Sequence, residues 1–360
     1  MNEIETKLKM IRTFLEQSPC AAVRLRGVDW FSWCTGGGTN RMLLSAETGV
    51  AEVLVTEKEA WILTDIIEAD RLRNEQIPAG FEIWIGPWQD SDKREKFVSE
   101  LSGRALVASD RPVAHERALG NDLIRAKRRL LPEEIERFKQ LGRDAAEAMT
   151  EALSLAQPNW SEFELAGQAS LALQKRGIDP ALVQVGGSER INAYRHLLPT
   201  DKKIGNRAMM AFCARRHGLY ASLTRYVFFD KPTLSQRRSF EDVAQIECVT
   251  LNASRPGAAL DQIYHQLTSA YTQHAYQSEI NKHHQGGTTG YLAREVIAQP
   301  SSKELIEANT AIAWNPSLVG AKIEDTFLST DQGLELLTLD SNWPTIEVDG
   351  RKRPDIWVRT

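Results

Sequence analysis

Residues 132–155 read PEEIERFKQLGRDAAEAMTEALSL, and this stretch sets the architecture of the larger part of the chain. Pro132 suits the first helical position, where its missing N–H is no loss. Ile135, Phe138, Leu141, Ala145, Met149 and Leu153 then recur every three or four positions. That spacing predicts an amphipathic helix of about five turns. QPNW (157–160) ends it. Ser161 and Glu164 form a capping-box start for a second helix through Leu173, closed by Gly177. Strand-like pieces follow in ALVQV (181–185), AMMAFCA (208–214) and YVFF (226–229). A third helix is expected over 239–250 and a fourth over 260–275. Strands return in AIAWNP (311–316), AKIEDTFLST (321–330) and LELLTL (334–339). Helix pair, strands, helix pair, strands: the second half reads as one α+β unit written twice.

Upstream, helices and strands alternate. A helix is expected over 3–17, a strand near Ala21–Arg24, and strands at AEVLVT (51–56), AWILT (60–64) and FEIWIG (81–86). IIEADRLRNEQI (66–77) reads as helical, and WFSWCTGGGTN (30–40) as a glycine-rich turn. The triple glycine lacks the Lys-Ser/Thr of a phosphate loop. This pattern predicts a smaller α/β domain over 1–127, followed by an α+β domain over 128–360.

Composition narrows the function. With 42% apolar and 26% charged residues, the 360-residue chain has the make-up of a globular protein. A net charge of −4 with interspersed signs gives no basic stripe for nucleic acid and no lysine-rich helix for a membrane surface. No apolar run approaches the ~18 residues of a membrane span, and the N-terminus does not read as a signal peptide. Cys20, Cys34, Cys213 and Cys248 are scattered, without a CxxC pair. Reduced thiols in a cytoplasmic protein are the expectation.

Four motifs then stand in order: RHLLPTDKKIGN (195–206), CARRHGLYASLTR (213–225), HHQGG (283–287) and NPSLVGAKIEDTFLST (315–330). The first resembles the His-x-x-Pro-Thr-x-x-x-x-Gly-Asp stretch of prolidases, aminopeptidases P and creatinase. The second resembles their Gly-Ala-Arg-x-x-Gly-x-x-x-Asp-x-Thr-Arg, and the last their Glu-Pro-Gly…Arg-Ile-Glu-Asp-Thr. Together they resemble the creatinase/aminopeptidase family over about residues 130–335. The resemblance implies a pita-bread C-terminal domain, a smaller α/β N-terminal domain, a homodimer and a small-molecule substrate.

The family's peptidases hold two divalent metals on two Asp, one His and two Glu. Carried over residue by residue, these positions fall on Ala211, Ser222, His284 (or His283), Asn315 and Glu324. Alanine offers no donor atom, and neither serine nor asparagine offers a carboxylate. No metal and no other cofactor is therefore expected. A single zinc on His283, His284 and Glu324 is the alternative, but neighbouring histidines on a strand would face opposite ways.

His196 matches the histidine that faces substrate. In metal-independent creatinase the matching residue is the acid–base group. The resemblance therefore implies a creatinase-like hydrolase or lyase acting on a C–N bond of a small polar molecule. His196 would carry protons, Glu324 would orient it or bind a cationic group, and His284 would donate to an oxyanion. His283, Cys213, Arg215, Arg225 and Asn315 are the expected substrate-binding residues. Two alternatives stand beside this one: an Xaa-Pro aminopeptidase or prolidase-type metallopeptidase, and a non-catalytic binding protein of the same fold. Cys213 could be an inert buried thiol or a nucleophile activated by Arg215. Glu324 could simply pair with Lys322.

Overall fold

The computed structural model describes residues 1–359. It divides into two compact units, Met1–Glu134 with His217–Leu219, and Ile135–Arg216 with the chain from Tyr220 onward.

The first unit is built on a six-stranded mixed sheet. Its order is Glu82–Gly86, Ala60–Asp65, Thr48–Thr56, Ala22–Gly27, Val107–Ser109 and Glu116–Ala118. Both faces of its central strands are covered, so the consecutive residues Val53, Leu54 and Val55, and Ile62 and Leu63, are all buried. One expectation changes here. Val28–Cys34 is a helix, and the glycine turn begins only after it. Val28, Trp30, Phe31, Trp33 and Cys34 are all buried. A run of that bulk in the core needs its backbone groups paired internally, and a helix provides this where a turn would not. Asp29 sits on the same helix and is matched by Lys127 at 2.5 Å.

The second unit has the predicted helix pairs. Pro132–Leu155 and Glu162–Gln174 come first, the latter capped reciprocally by Ser161 and Glu164. The later pair is Leu234–Ala253 and Leu260–Gln273. The third helix starts five residues earlier than the apolar spacing indicated, because Thr233 and Gln236 form a capping box that admits a polar first turn. A four-stranded sheet runs Trp357–Val358, Leu219–Phe228, Arg207–Arg216, Asp179–Gly187. A five-stranded sheet runs Val296–Ile297, Gly286–Thr289, Thr310–Trp314, Asp325–Thr330, Gly333–Leu336. An isolated bridge between Thr224 and Glu324 links the strands of the two sheets. Leu251, Leu260, Ile312, Trp314 and Phe327 form one apolar cluster, in which the Trp314 indole donates to Ser254 Oγ at 2.9 Å. Among the described residues, no helix is long and apolar enough to cross a membrane.

The two glycines of HHQGG are explained by packing. Gly286 pairs with Trp314, while Gly287 pairs with Ala313 on one side and Ile297 on the other. Gly287 has φ +148°, and a Cβ there would lie 2.0 Å from the Val296 carbonyl oxygen. That neighbour is backbone in a paired strand and cannot rotate away. Gly287→Ala should therefore cost about 2–4 kcal/mol, from backbone strain plus overpacking. The checks are a lowered denaturation midpoint with an unchanged slope, and retained far-UV circular dichroism below the transition.

Candidate active site

The glycine strand carries His283 and His284 at its entrance. His283 has φ −159° and ψ 148°, and caps the short 3-10 turn Glu279–Lys282. The histidines thus precede the paired strand, which starts at Gly286. Their rings do not point to opposite faces as a strand would require. They stack at 4.4 Å between centroids, 25° from parallel. His196 comes from the loop after the turn Arg190–Asn192, and its Nε2 lies 3.0 Å from His283 Nε2. One of these nitrogens must donate and the other accept, so the pair cannot be doubly protonated in this geometry.

These histidines line a cavity of about 110 Å³, shared with Gln184, Ala211, Cys213, Arg294, Asn315, Lys322 and Glu324. His196, His283, His284, Cys213, Asn315 and Glu324 therefore converge, although the chain scatters them. Arg215 and Arg225 do not join them. Arg215 packs on the Tyr220 ring at 5.4 Å. Arg225 donates to Asp325 at 2.7 Å and to the Thr338 carbonyl at 2.6 Å. It is a buried brace rather than a substrate contact. Ser222 is also buried and meets Cys213 Sγ at 3.6 Å.

Glu324 is 4% exposed. Its Oε1 accepts from Arg294 at 2.8 Å, and its Oε2 accepts from Thr224 at 2.9 Å and lies 2.9 Å from Lys322 Nζ. Burial alone would push this carboxyl up, but Lys322 and Arg294 outweigh burial and bring it down to about 2. The residue is ionised and already has its partners. It neither orients His196 nor offers a free carboxylate to a cationic substrate, which corrects both expected roles. The pairing with Lys322 holds, and Arg294 adds a second cation that the sequence reading missed. The signal was present in the ARE of residues 293–295, but nothing local ties that arginine to a glutamate thirty positions away.

Burial and the nearby Lys322 push His283 down to about 3, while burial and Arg294 push His284 down to about 4. His196 is lowered by burial and by Lys322, with Glu324 opposing. All three imidazoles are neutral near pH 7 and can donate or accept. Cys213 moves the other way. Burial and the Glu324 charge push its thiol up, so it is protonated and a poor nucleophile. The nucleophile alternative loses its support.

The three imidazoles also offer a ligand set. Nitrogens of His196, His283 and His284 lie within 4.8 Å of one another. This differs from the His283, His284 and Glu324 set considered from sequence, because Glu324 is held by cations instead.

Comparison with known proteins agrees with the architecture. The family model described as metallopeptidase family M24 matches residues 136–331. An uncharacterised peptidase of Staphylococcus aureus (strain MW2) is 27% identical over 124 residues, which is 33% of this chain and 35% of its own length. An Xaa-Pro dipeptidase of Pyrococcus furiosus is 25% identical over 217 residues, 57% of this chain and 62% of that one. Both matches span less than two thirds of the relative. The Xaa-Pro dipeptidase structure from Bacillus anthracis superposes with a TM-score of 0.79 at 16% identity, covering 99% of this chain and 100% of that chain. It shares the pita-bread fold. With the family match extending over more than half of its length, this chain belongs to metallopeptidase family M24.

Proposed function

We propose that the protein hydrolyses the amide C–N bond of a small Xaa-Pro-type peptide in the histidine pocket, with His196 as the acid–base group and without a dinuclear metal centre. The similarity to an Xaa-Pro dipeptidase favours the peptidase alternative over the creatinase-like one for the substrate. The histidine machinery rests on the pocket's chemistry.

The carrying observation is the double clamp of Arg294 and Lys322 on Glu324. Two dications close together need several carboxylates to offset their repulsion. At the five motif positions this chain has Ala211, Ser222, His284, Asn315 and Glu324. The one carboxylate among them is neutralised by side-chain cations. This donor set does not fit two metal ions. In their place, a neutral His196 takes a proton from water and later returns it to the leaving nitrogen. His283 positions it through the 3.0 Å contact.

Dipeptides ending in proline, assayed with EDTA and separately with added Mn²⁺, Co²⁺ or Zn²⁺, test this reading. The expected result is turnover that chelator leaves unchanged, in protein carrying well under one equivalent of metal by elemental analysis. Turnover that appears only with added metal would reject the mechanism. No turnover across the panel would reject the substrate class.

A further inference from the structure

The pocket's charge balance is inverted relative to a site built for dications. Arg294 and Lys322 face a single carboxylate, Glu324. The next acids behind them, Asp325 and Glu247, are matched by Arg225 and Arg353. The cavity therefore holds one positive charge in excess. Lys322 is only 7% exposed, and an ammonium has three N–H donors. Glu324 is its side-chain partner among the described residues. Arg294 Nε is buried without a hydrogen-bond partner, as are Asn315 Oδ1 and Gln184 Oε1 on the same walls. Orphaned polar groups around a small cavity indicate a missing polar occupant. The amides of Asn315 and Gln184 can present either end to it. The cavity of about 110 Å³ has room for roughly four waters at ~30 Å³ each. It accepts one end of a molecule rather than a whole dipeptide.

We propose that this cavity is a carboxylate-binding subsite, in which Lys322 and Arg294 hold the acid group of a small substrate where relatives with a full ligand set would hold metal. This rests on the peptidase reading for the substrate but not for the binding. The lysine supplies a point charge and the arginine a directed N–H. Glu324 keeps both cations in place and prevents their mutual repulsion from opening the pocket. The neutral imidazoles then line the mouth beside the group to be cleaved.

Calorimetric titration with N-acetyl-L-proline and with its uncharged methyl amide tests the proposal, with inorganic phosphate as a third probe. The acid should bind, the amide at least ~10-fold more weakly, and added salt should weaken the acid alone. Lys322→Met should lose at least ~10-fold affinity for the acid, and Lys322→Arg should keep most of it. Circular dichroism and melting of both variants show whether the fold is retained. Equal binding of acid and amide would overturn the proposal. So would phosphate binding as tightly as the acid, or one equivalent of Zn²⁺ binding that His283→Ala abolishes, since the pocket would then serve another ligand. If the acid binds but no Xaa-Pro dipeptide is turned over, the peptidase reading fails and this subsite stands. If dipeptides and their C-terminal amides are turned over alike, the reverse holds.

Discussion

His196→Ala should lower turnover of a Xaa-Pro substrate by at least ~100-fold, the low end for a lost general acid–base group. The fold should survive, because His196 is exposed at the pocket mouth and contributes little to the core. The wild-type pH profile supplies the sign. A general base must be neutral, and partial desolvation on its pocket side, together with Lys322, lowers the His196 pKa below its ordinary 6.5. The rate should thus be flat from neutral pH down to about 6.5 and fall only below it. His283→Ala removes the 3.0 Å partner and should reduce turnover less than His196→Ala does. The measurement is kcat/KM against pH for the three proteins. A flat profile to pH 4, or a His196→Ala enzyme within a few fold of wild type, would remove His196 from the mechanism.

The other large effect is on stability. Behind Glu324 lies a buried ionic network. Arg353 contacts Glu247 through two nitrogens at 2.7 Å each and reaches Asp325 at 2.9 Å. Asp325 also accepts from Arg225 at 2.7 Å and from Thr338 at 2.7 Å. Arg353, Glu247 and Asp325 are at most 1% exposed. Arg353→Ala strands the Glu247 carboxylate away from water and leaves Asp325 with Arg225 and Thr338 alone, which should cost about 3–5 kcal/mol, or a fall in Tm of roughly 10 °C. Adding Glu247→Gln should recover part of that loss, because the stranded charge is then removed. Calorimetric melting of the single and double variants checks both statements. Additive losses would mean that the two residues do not act as a pair. Asp325 directly follows Glu324 in the chain and begins the strand, so this network also anchors the pocket floor. Arg353→Ala should therefore raise KM even at temperatures where the variant is folded.

Local patterns in the sequence carry most of the second unit. Apolar spacing at Ile135, Phe138 and Leu141, and the Ser161–Glu164 cap, predict helices by physics that acts within a few residues. The four motifs in order were enough for the family, and hence for the fold. The convergence of His196, His283, His284 and Glu324 followed from the same motifs. Side-chain partnerships across the fold were not legible. Nothing near Arg294 marks Glu324 as its partner, and nothing near Arg225 says that its guanidinium turns inward to Asp325. The helix at Val28–Cys34 was hidden by the glycines after it, since a core that must pair every backbone group overrode the local turn signal. The stacking of His283 on His284 depended on where pairing of the strand begins, which is decided by the Thr310–Trp314 strand beside it. Sequence alone therefore determined the three histidines and the single glutamate of the pocket, while the packed chain added Arg294 and turned Arg215 and Arg225 elsewhere. Only the tertiary structure decided the charge state and orientation of the pocket's groups, because desolvation and the placement of distant cations are properties of the packed chain.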